Sequence, residues 1–257
     1  MRYAVNCSIL LTELPPLERP AAARAAGFEA VEFWWPFANP VPADHDVDAF
    51  VRAVEDAGVR LIGLNFAAGD LPAGDRGLVS WPDRAREFRD SVPIAAEIGR
   101  RLGCRSFNAL YGNRIDGISP EHQDELAVEN LSYAASIVDG MLLVEPLSAA
   151  ERYPLRTAAD AVAVLDRVGV PNIRLLADLY HLAVNDDDVD AAIGRYADRI
   201  GHVQIADAPG RGEPGTGGLP LDRWLATIDR SGYDGWVALE YRATTANPFD
   251  WLKGALA

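Results

Sequence analysis

Four side chains with oxygen donors stand at or near the ends of short apolar runs in the second half of the sequence. Glu145 follows Met141-Leu142-Leu143-Val144, and Asp178 follows Ile173-Arg174-Leu175-Leu176-Ala177. Gln204 lies within His202-Val203-Gln204-Ile205, and Glu240 follows Trp236-Val237-Ala238-Leu239. They are separated by 33, 26 and 36 residues, each close to the roughly 30 residues of a strand–helix–strand unit. Such spacing puts the four groups at one end of neighbouring parallel strands. Three carboxylates gathered there repel one another strongly. A divalent cation is the simplest compensation, and three carboxylates with an amide oxygen suit Mg²⁺ or Mn²⁺. Taken singly, each acid reads as a strand cap or an arginine partner; the metal reading rests on the four together.

Two of the four have a second use. Glu145 and Glu240 are placed to flank a bound molecule, one accepting a proton and the other donating it. A metal beside them polarises a carbonyl and acidifies its α-hydrogen. That combination suits isomerisation or epimerisation next to a carbonyl. His181, three residues after Asp178, is expected in the loop just above the metal, as a donor to a substrate oxygen. Arg211 opens the glycine-rich stretch 210–218, in a region where barrels often bind anions. It reads either as a bidentate partner of a substrate carboxylate or as a solvated loop arginine. The glycines around it either cradle an anion or only permit a tight loop. Glu32, Asn6, Asn65 and Asn108 are candidates for a supporting layer or the substrate wall. Trp34-Trp35 reads as ordinary core, and His202 as structural, toward the opposite end of the barrel.

The elements that must hold these groups alternate along the chain. Strands are predicted over 3–7, 29–33, 60–65, 106–110, 141–145, 173–178, 201–205 and 236–240. Helices are predicted over 17–26, 46–57, 82–102, 120–138, 157–168, 189–199, 221–230 and 248–256. Several helices run into a glycine, which ends a helix in the left-handed conformation without a Cβ clash. Eight strands alternating with eight helices make a parallel sheet. A length of 257 residues favours closure into a single (β/α)₈ TIM barrel domain over 1–257. No Gly-x-Gly-x-x-Gly follows the first strand, which argues against a dinucleotide fold. The 66–80 connection is long for a barrel and is a candidate lid.

Composition removes several classes. The net charge is −14, with 38 acidic and 24 basic residues, so binding to nucleic acid is disfavoured. No apolar run reaches transmembrane length and no signal peptide is seen, so a cytoplasmic protein without a membrane partner is expected. Two cysteines make no disulfide framework. The single lysine, Lys253, falls beyond the last strand, where it cannot serve as a Schiff-base lysine.

Several motifs together resemble the hydroxypyruvate isomerase family of xylose-isomerase-like barrels. They are Val144-Glu145-Pro146-Leu147, Asp178-Leu179-Tyr180-His181, Gly201-His202-Val203-Gln204-Ile205-Ala206-Asp207, Glu213-Pro214-Gly215-Thr216-Gly217 and Leu239-Glu240-Tyr241, with Leu11-Thr12-Glu13-Leu14-Pro15, Gly27-Phe28-Glu29-Ala30-Val31-Glu32-Phe33, Ala68-Gly69-Asp70 and Glu129-Asn130-Leu131 in the first half. The resemblance implies a divalent metal on Glu145, Asp178, Gln204 and Glu240. It also implies proton transfer by Glu145 and Glu240, and substrate contact by His181. The implied reaction interconverts hydroxypyruvate and 2-hydroxy-3-oxopropanoate through an enediol. Departures fall on the substrate wall: Ser148 stands where the family usually has asparagine, Ala67 where proline is common, and Leu176-Ala177 precede Asp178. The segment 108–117 is also unusual. They widen the expected substrate to four-carbon oxo-acids, as for a 2-oxo-tetronate isomerase, or to a free ketose, as for a ketose 3-epimerase. A phosphodiester hydrolase on this scaffold would want more than 4 histidines and a basic face. A non-enzymatic binding protein would not need the intact ligand set.

Overall fold

The computed structural model describes residues 1–252. Eight strands pair in parallel in chain order, β1-β2-β3-β4-β5-β6-β7-β8, and the last closes on the first. They are β1 (Arg2–Asn6), β2 (Ala30–Phe33), β3 (Arg60–Asn65), β4 (Ser106–Asn108), β5 (Met141–Val144), β6 (Ile173–Asp178), β7 (Ile200–Ile205) and β8 (Trp236–Leu239). Their side chains are nearly all buried, as expected for parallel strands covered on one face by helices and packed inside the barrel on the other. Closure leaves no open sheet edge.

Helices α1 (Arg19–Ala25), α2 (Asp44–Ala57), α3 (Ala85–Leu102), α4 (Pro120–Ile137), α5 (Ala158–Val168), α6 (Leu179–Val184), α7 (Val189–Tyr196) and α8 (Leu221–Arg230) surround the strands. The glycine stops behave as the sequence predicts: α2, α3 and α5 end on Gly58, Gly103 and Gly169 at φ 64°, 70° and 67°. Thr157 opens α5 with a reciprocal cap, its hydroxyl accepting from Asp160 N–H while the Asp160 carboxylate accepts from Thr157 N–H. Helix α3 is pinned to the wall where β3 ends. Phe88 meets Phe66 edge-on at 5.4 Å, and Phe66 stacks on Phe107 of β4 at 5.9 Å.

Several boundaries shift by a residue or two, Pro82–Arg84 and Ala197–Arg199 form 3₁₀ turns, and three further elements differ from the sequence reading. The fourth strand stops at Asn108 rather than residue 110. Helix α6, directly after β6, is additional to the predicted set. Residues 248–251 form a turn; of the helix expected over 248–256, residues 253–256, with Lys253, lie outside the described residues. Among the described residues, no helix is long and apolar enough to cross a membrane.

The register lines up the polar groups of the mouth. Asn6 is opposite Glu32, Asn65 opposite Asn108, and Asp178 opposite Gln204. Parallel strands in register deliver residues at the same height, so side chains far apart in sequence share one layer.

Candidate active site

The four predicted oxygen donors all sit at the carboxyl end of the barrel. Asp178 closes β6, Gln204 lies one residue before the end of β7, and Glu145 and Glu240 directly follow β5 and β8. All four are buried. Asp178 has two uses. Its Oδ1 caps α6, accepting from Tyr180 N–H at 2.9 Å and His181 N–H at 3.2 Å. Its Oδ2 remains without a hydrogen-bond partner. His181 is therefore on the first turn of a helix, not in the expected loop, and the aspartate beneath it fixes where that turn begins.

A deeper layer orients the donors. Glu32 is buried in β2, and its Oε1 accepts from Gln204 Nε2 at 2.7 Å and Asn6 Nδ2 at 2.8 Å. Its Oε2 meets His202 Nε2 at 2.7 Å. His202 is thus structural, as predicted, and reaches Glu32 from below. By taking the amide nitrogen of Gln204, Glu32 leaves the amide oxygen Oε1 without a partner. Gly63, opposite Glu32, makes room for it: a Cβ there would lie 3.0 Å from Glu32 Oε2. Across the mouth, Asn108 Nδ2 donates to Glu145 Oε2 at 2.7 Å. The buried Tyr153 hydroxyl donates to the Glu145 carbonyl at 2.9 Å.

Charge is poorly balanced in this layer. Burial drives the Glu145 carboxyl well above the usual carboxylate range, and the charges of Glu240 and Asp178 add to it. Burial likewise pushes Glu240 up to about 8, opposed by Arg211 and reinforced by Asp178 and Glu32. Buried oxygens of Asp178 (Oδ2), Gln204 (Oε1) and Glu240 (Oε2) have no hydrogen-bond partner. Leaving such acceptors bare is costly. Hard oxygen donors, excess negative charge and missing partners are what a divalent cation satisfies, so these residues fit a metal. Atoms of Glu145, Asp178 and His181 also lie within 4.8 Å of one another, which raises the histidine as a ligand. Its hydrogen bonds argue otherwise. Ser148 N–H donates to His181 Nδ1 at 3.0 Å, and Ser148 Oγ lies 2.7 Å from the same nitrogen. An Nδ1 that accepts leaves the proton on Nε2. Burial first, then the Arg211 and Arg76 charges, push its pKa down to about 4 against the pull of Asp178. The ring is a neutral donor through Nε2, with no lone pair left for a metal.

Glu145 and Glu240 border a cavity of about 570 Å³, together with His181, Arg211, Arg76 and Trp34. Arg211 is engaged by the protein. Its terminal nitrogen donates to Glu240 Oε1 at 2.9 Å and lies 3.7 Å from Asp178 Oδ2, and the guanidinium covers the Tyr180 ring. Trp34 corrects the core assignment: it lines the cavity and donates from Nε1 to Glu240 Oε1 at 3.2 Å. The glycine-rich loop does cradle an anion, but that anion is its own Asp207. The Asp207 carboxylate accepts backbone N–H groups from Ala208, Gly215, Gly217 and Leu219 at 2.8–3.0 Å.

Comparison with known proteins agrees with this fold. Residues 20–257 match the family model described as the xylose isomerase-like TIM barrel. A putative hydroxypyruvate isomerase of Streptomyces coelicolor is 53% identical, over 98% of this chain and 95% of its own. The hydroxypyruvate isomerase of Escherichia coli is 36% identical, over 98% of each chain. The chain belongs to the hydroxypyruvate isomerase family of xylose isomerase-like barrels. As a member of that family it is an isomerase. The fold is shared with the crystal structure of a family 2 AP endonuclease from Brucella melitensis, which is 33% identical with a TM-score of 0.89 over 98% of both chains.

Within the hydroxypyruvate isomerase family the departures noted in the sequence take on positions. Ser148 is the residue that meets His181 Nδ1. Ala67 and Ala177 are buried. Arg76 of the cavity was not singled out by sequence reasoning, and Trp34 was noticed there only as core. Trp34 had one signal, its place two residues after Glu32 at a strand end.

Proposed function

We propose that the protein interconverts the ketose and aldose forms of a small hydroxy-oxo-acid, hydroxypyruvate and 2-hydroxy-3-oxopropanoate being the pair its relatives favour. The observation that carries this reading is a pair of buried glutamates on one cavity, in a cluster where buried oxygens of Asp178, Gln204 and Glu240 have no hydrogen-bond partner. In this reading Glu145, Asp178, Gln204 and Glu240 hold a divalent cation, Mg²⁺ or Mn²⁺ by the hardness of the donors. When bound, the cation supplies charge that polarises the substrate carbonyl and lowers the pKa of the neighbouring C–H.

The chain's own groups do the rest. One of Glu145 and Glu240 accepts a proton from the hydroxymethyl carbon, leaving an enediol between that carbon and the former carbonyl carbon. The other returns a proton to the former carbonyl carbon, and the hydroxyl proton of the first carbon passes to the former carbonyl oxygen, so the carbonyl moves by one carbon and no outside oxidant or reductant is needed. His181, fixed as an Nε2–H donor by Ser148, hydrogen-bonds a substrate oxygen. Arg211 holds Glu240 in place and offers its remaining edge to the substrate. A phosphodiester-cleaving reading is disfavoured by the net charge of −14 and by carboxylates at the mouth, both of which repel a phosphate backbone.

The test is exchange of substrate hydrogen with D₂O. Exchange should need Mg²⁺ or Mn²⁺ and stop with a chelator. Glu240→Gln should reduce it by about 10²–10⁴-fold, the usual worth of a positioned acid–base group. Normal turnover by that variant would end the two-glutamate reading. A panel of hydroxypyruvate, four-carbon oxo-acids and free ketoses identifies the substrate among the related chemistries.

A further inference from the structure

Three arginines border the cavity, Arg76, Arg211 and Arg242, and they are not equivalent. Arg211 is committed to Glu240 and Asp178. Arg242 is exposed. Arg76 is half-buried, and no carboxylate among the described residues pairs with it. Its hydrogen bonds both leave from one terminal nitrogen, to the carbonyls of Leu71 at 2.9 Å and Asp75 at 2.6 Å. The neighbouring carboxylate of Asp75 is taken by Arg84 at 2.6 Å. Arg76 therefore keeps an uncompensated positive charge on the cavity wall, held by two neutral acceptors that do not cancel it.

The backbone around Arg76 is built to hold that position. Gly112 N–H donates to the Arg76 carbonyl at 3.1 Å, and Gly77 N–H donates to Ala68 at 3.0 Å. Gly77 has φ 109°, and a Cβ there would lie 2.0 Å from the Leu110 carbonyl oxygen, so only glycine allows the approach. Leu110 itself lines the cavity. The 66–80 connection is thus clamped against the segment after β4, and its arginine lines the same cavity as Glu145 and Glu240.

A cation that is pre-positioned, partly desolvated and unpaired is suited to one planar anion. The guanidinium fork matches a carboxylate, whereas a hydroxymethyl group offers it no charge. Resting on the isomerase reading above, we infer that Arg76 binds the carboxylate of the substrate and makes this site select hydroxy-oxo-acids over neutral sugars of the same size. Arg211 then serves the reacting end, and the two arginines divide work that the sequence alone had given to Arg211.

Hydroxypyruvate and dihydroxyacetone test this directly, since they differ only in carboxylate against hydroxymethyl. For the metal-loaded enzyme the ratio of kcat/KM values for the two should fall about 100-fold in Arg76→Ala, a loss in the range of a hydrogen-bonded charge pair. The loss should lie mostly in KM, and Arg76→Lys should restore part of it. Because the ratio is internal to each variant, a general disturbance of the loop does not mimic the result. A ratio unchanged in Arg76→Ala, or collapsing instead in Arg242→Gln or Arg211→Ala, overturns the inference. If the wild type isomerises neither compound, the three-carbon substrate reading fails, and the role of Arg76 is then read from calorimetric binding of the same two molecules. A preference for hydroxypyruvate that Arg76→Ala abolishes supports the inference. A preference that survives, or none in the wild type, overturns it.

Discussion

Glu32 is the residue on which the oxygen set depends most without belonging to it. It accepts from Gln204 and Asn6 on one oxygen and meets His202 with the other. A glutamine amide presents oxygen or nitrogen to a site according to what holds its other end. Here Glu32 holds the nitrogen, so the oxygen is left for a cation. Glu32→Ala should weaken Mn²⁺ binding about 10–100-fold, the usual cost of losing a group that orients a ligand, as read by calorimetric titration. Unchanged affinity would mean that Gln204 is oriented by something else. At this scale much of the candidate site was legible. The donor residues were readable because strand ends repeat at intervals that the chain cannot hide. Trp34 was not, because an aromatic residue after a strand has the same sequence appearance in a core as on a cavity wall. Ser148 was noticed only as an unusual residue. Its contact with His181 spans 33 residues, and nothing local to either residue encodes it.

Elements set which of these contacts can exist, and the loop after β7 shows how. Its four N–H groups close on Asp207, while Glu213 accepts from Thr244 N–H at 2.8 Å and ties the loop to the segment after β8. That frame carries Arg211 in a left-handed backbone at φ 57°, a conformation a non-glycine keeps only when its surroundings impose it. Asp207→Ala leaves those N–H groups without their buried acceptor. It should cost about 3 kcal/mol, since single bonds to charged groups are worth roughly 1.5–3 kcal/mol and do not add. Chemical denaturation measures the loss, and limited proteolysis should cut within 210–218. Asp207→Asn, which keeps one acceptor oxygen, should fall between. The barrel itself was readable because strand and helix alternate eight times over, with several helices stopping at a glycine. Helix α6 escaped because six residues are too few to show a helical period, and its start depends on Asp178, whose other oxygen had already suggested a ligand. The expected anion cradle at 210–218 was correct in chemistry and wrong in occupant. Backbone donors announce that an anion is wanted, but only the fold reveals that β7 ends by supplying it.

For the whole molecule, negative charge is the common theme, and with the proposed metal it should make stability depend on both pH and cation. Glu145 and Glu240 have folded-state pKa values raised by burial, Glu240 to about 8 from the ordinary 4.5. Between those two values the unfolded chain has released protons that the folded protein still holds. Stability from these groups is therefore fully present below about pH 4.5 and is lost as pH rises through about 8. The net charge of −14 acts in the same direction through self-repulsion. The metal-free protein should accordingly lose Tm between pH 5 and 8, and added Mg²⁺ or Mn²⁺ should restore most of it by binding the folded state alone. Salt separates the two contributions. Surface repulsion is screened within a Debye length of about 4 Å near 0.5 M ionic strength, while buried carboxylates are screened far less, so a pH slope that survives high salt belongs to the site. Proton release gives the same answer independently. A cation entering at pH 7 must displace the protons that burial retains, which appears calorimetrically as a binding heat that changes with the ionisation enthalpy of the buffer. Metal uptake without proton release between pH 6 and 8 would mean that the glutamates are already ionised, and that Arg211 alone is enough to hold their charges together.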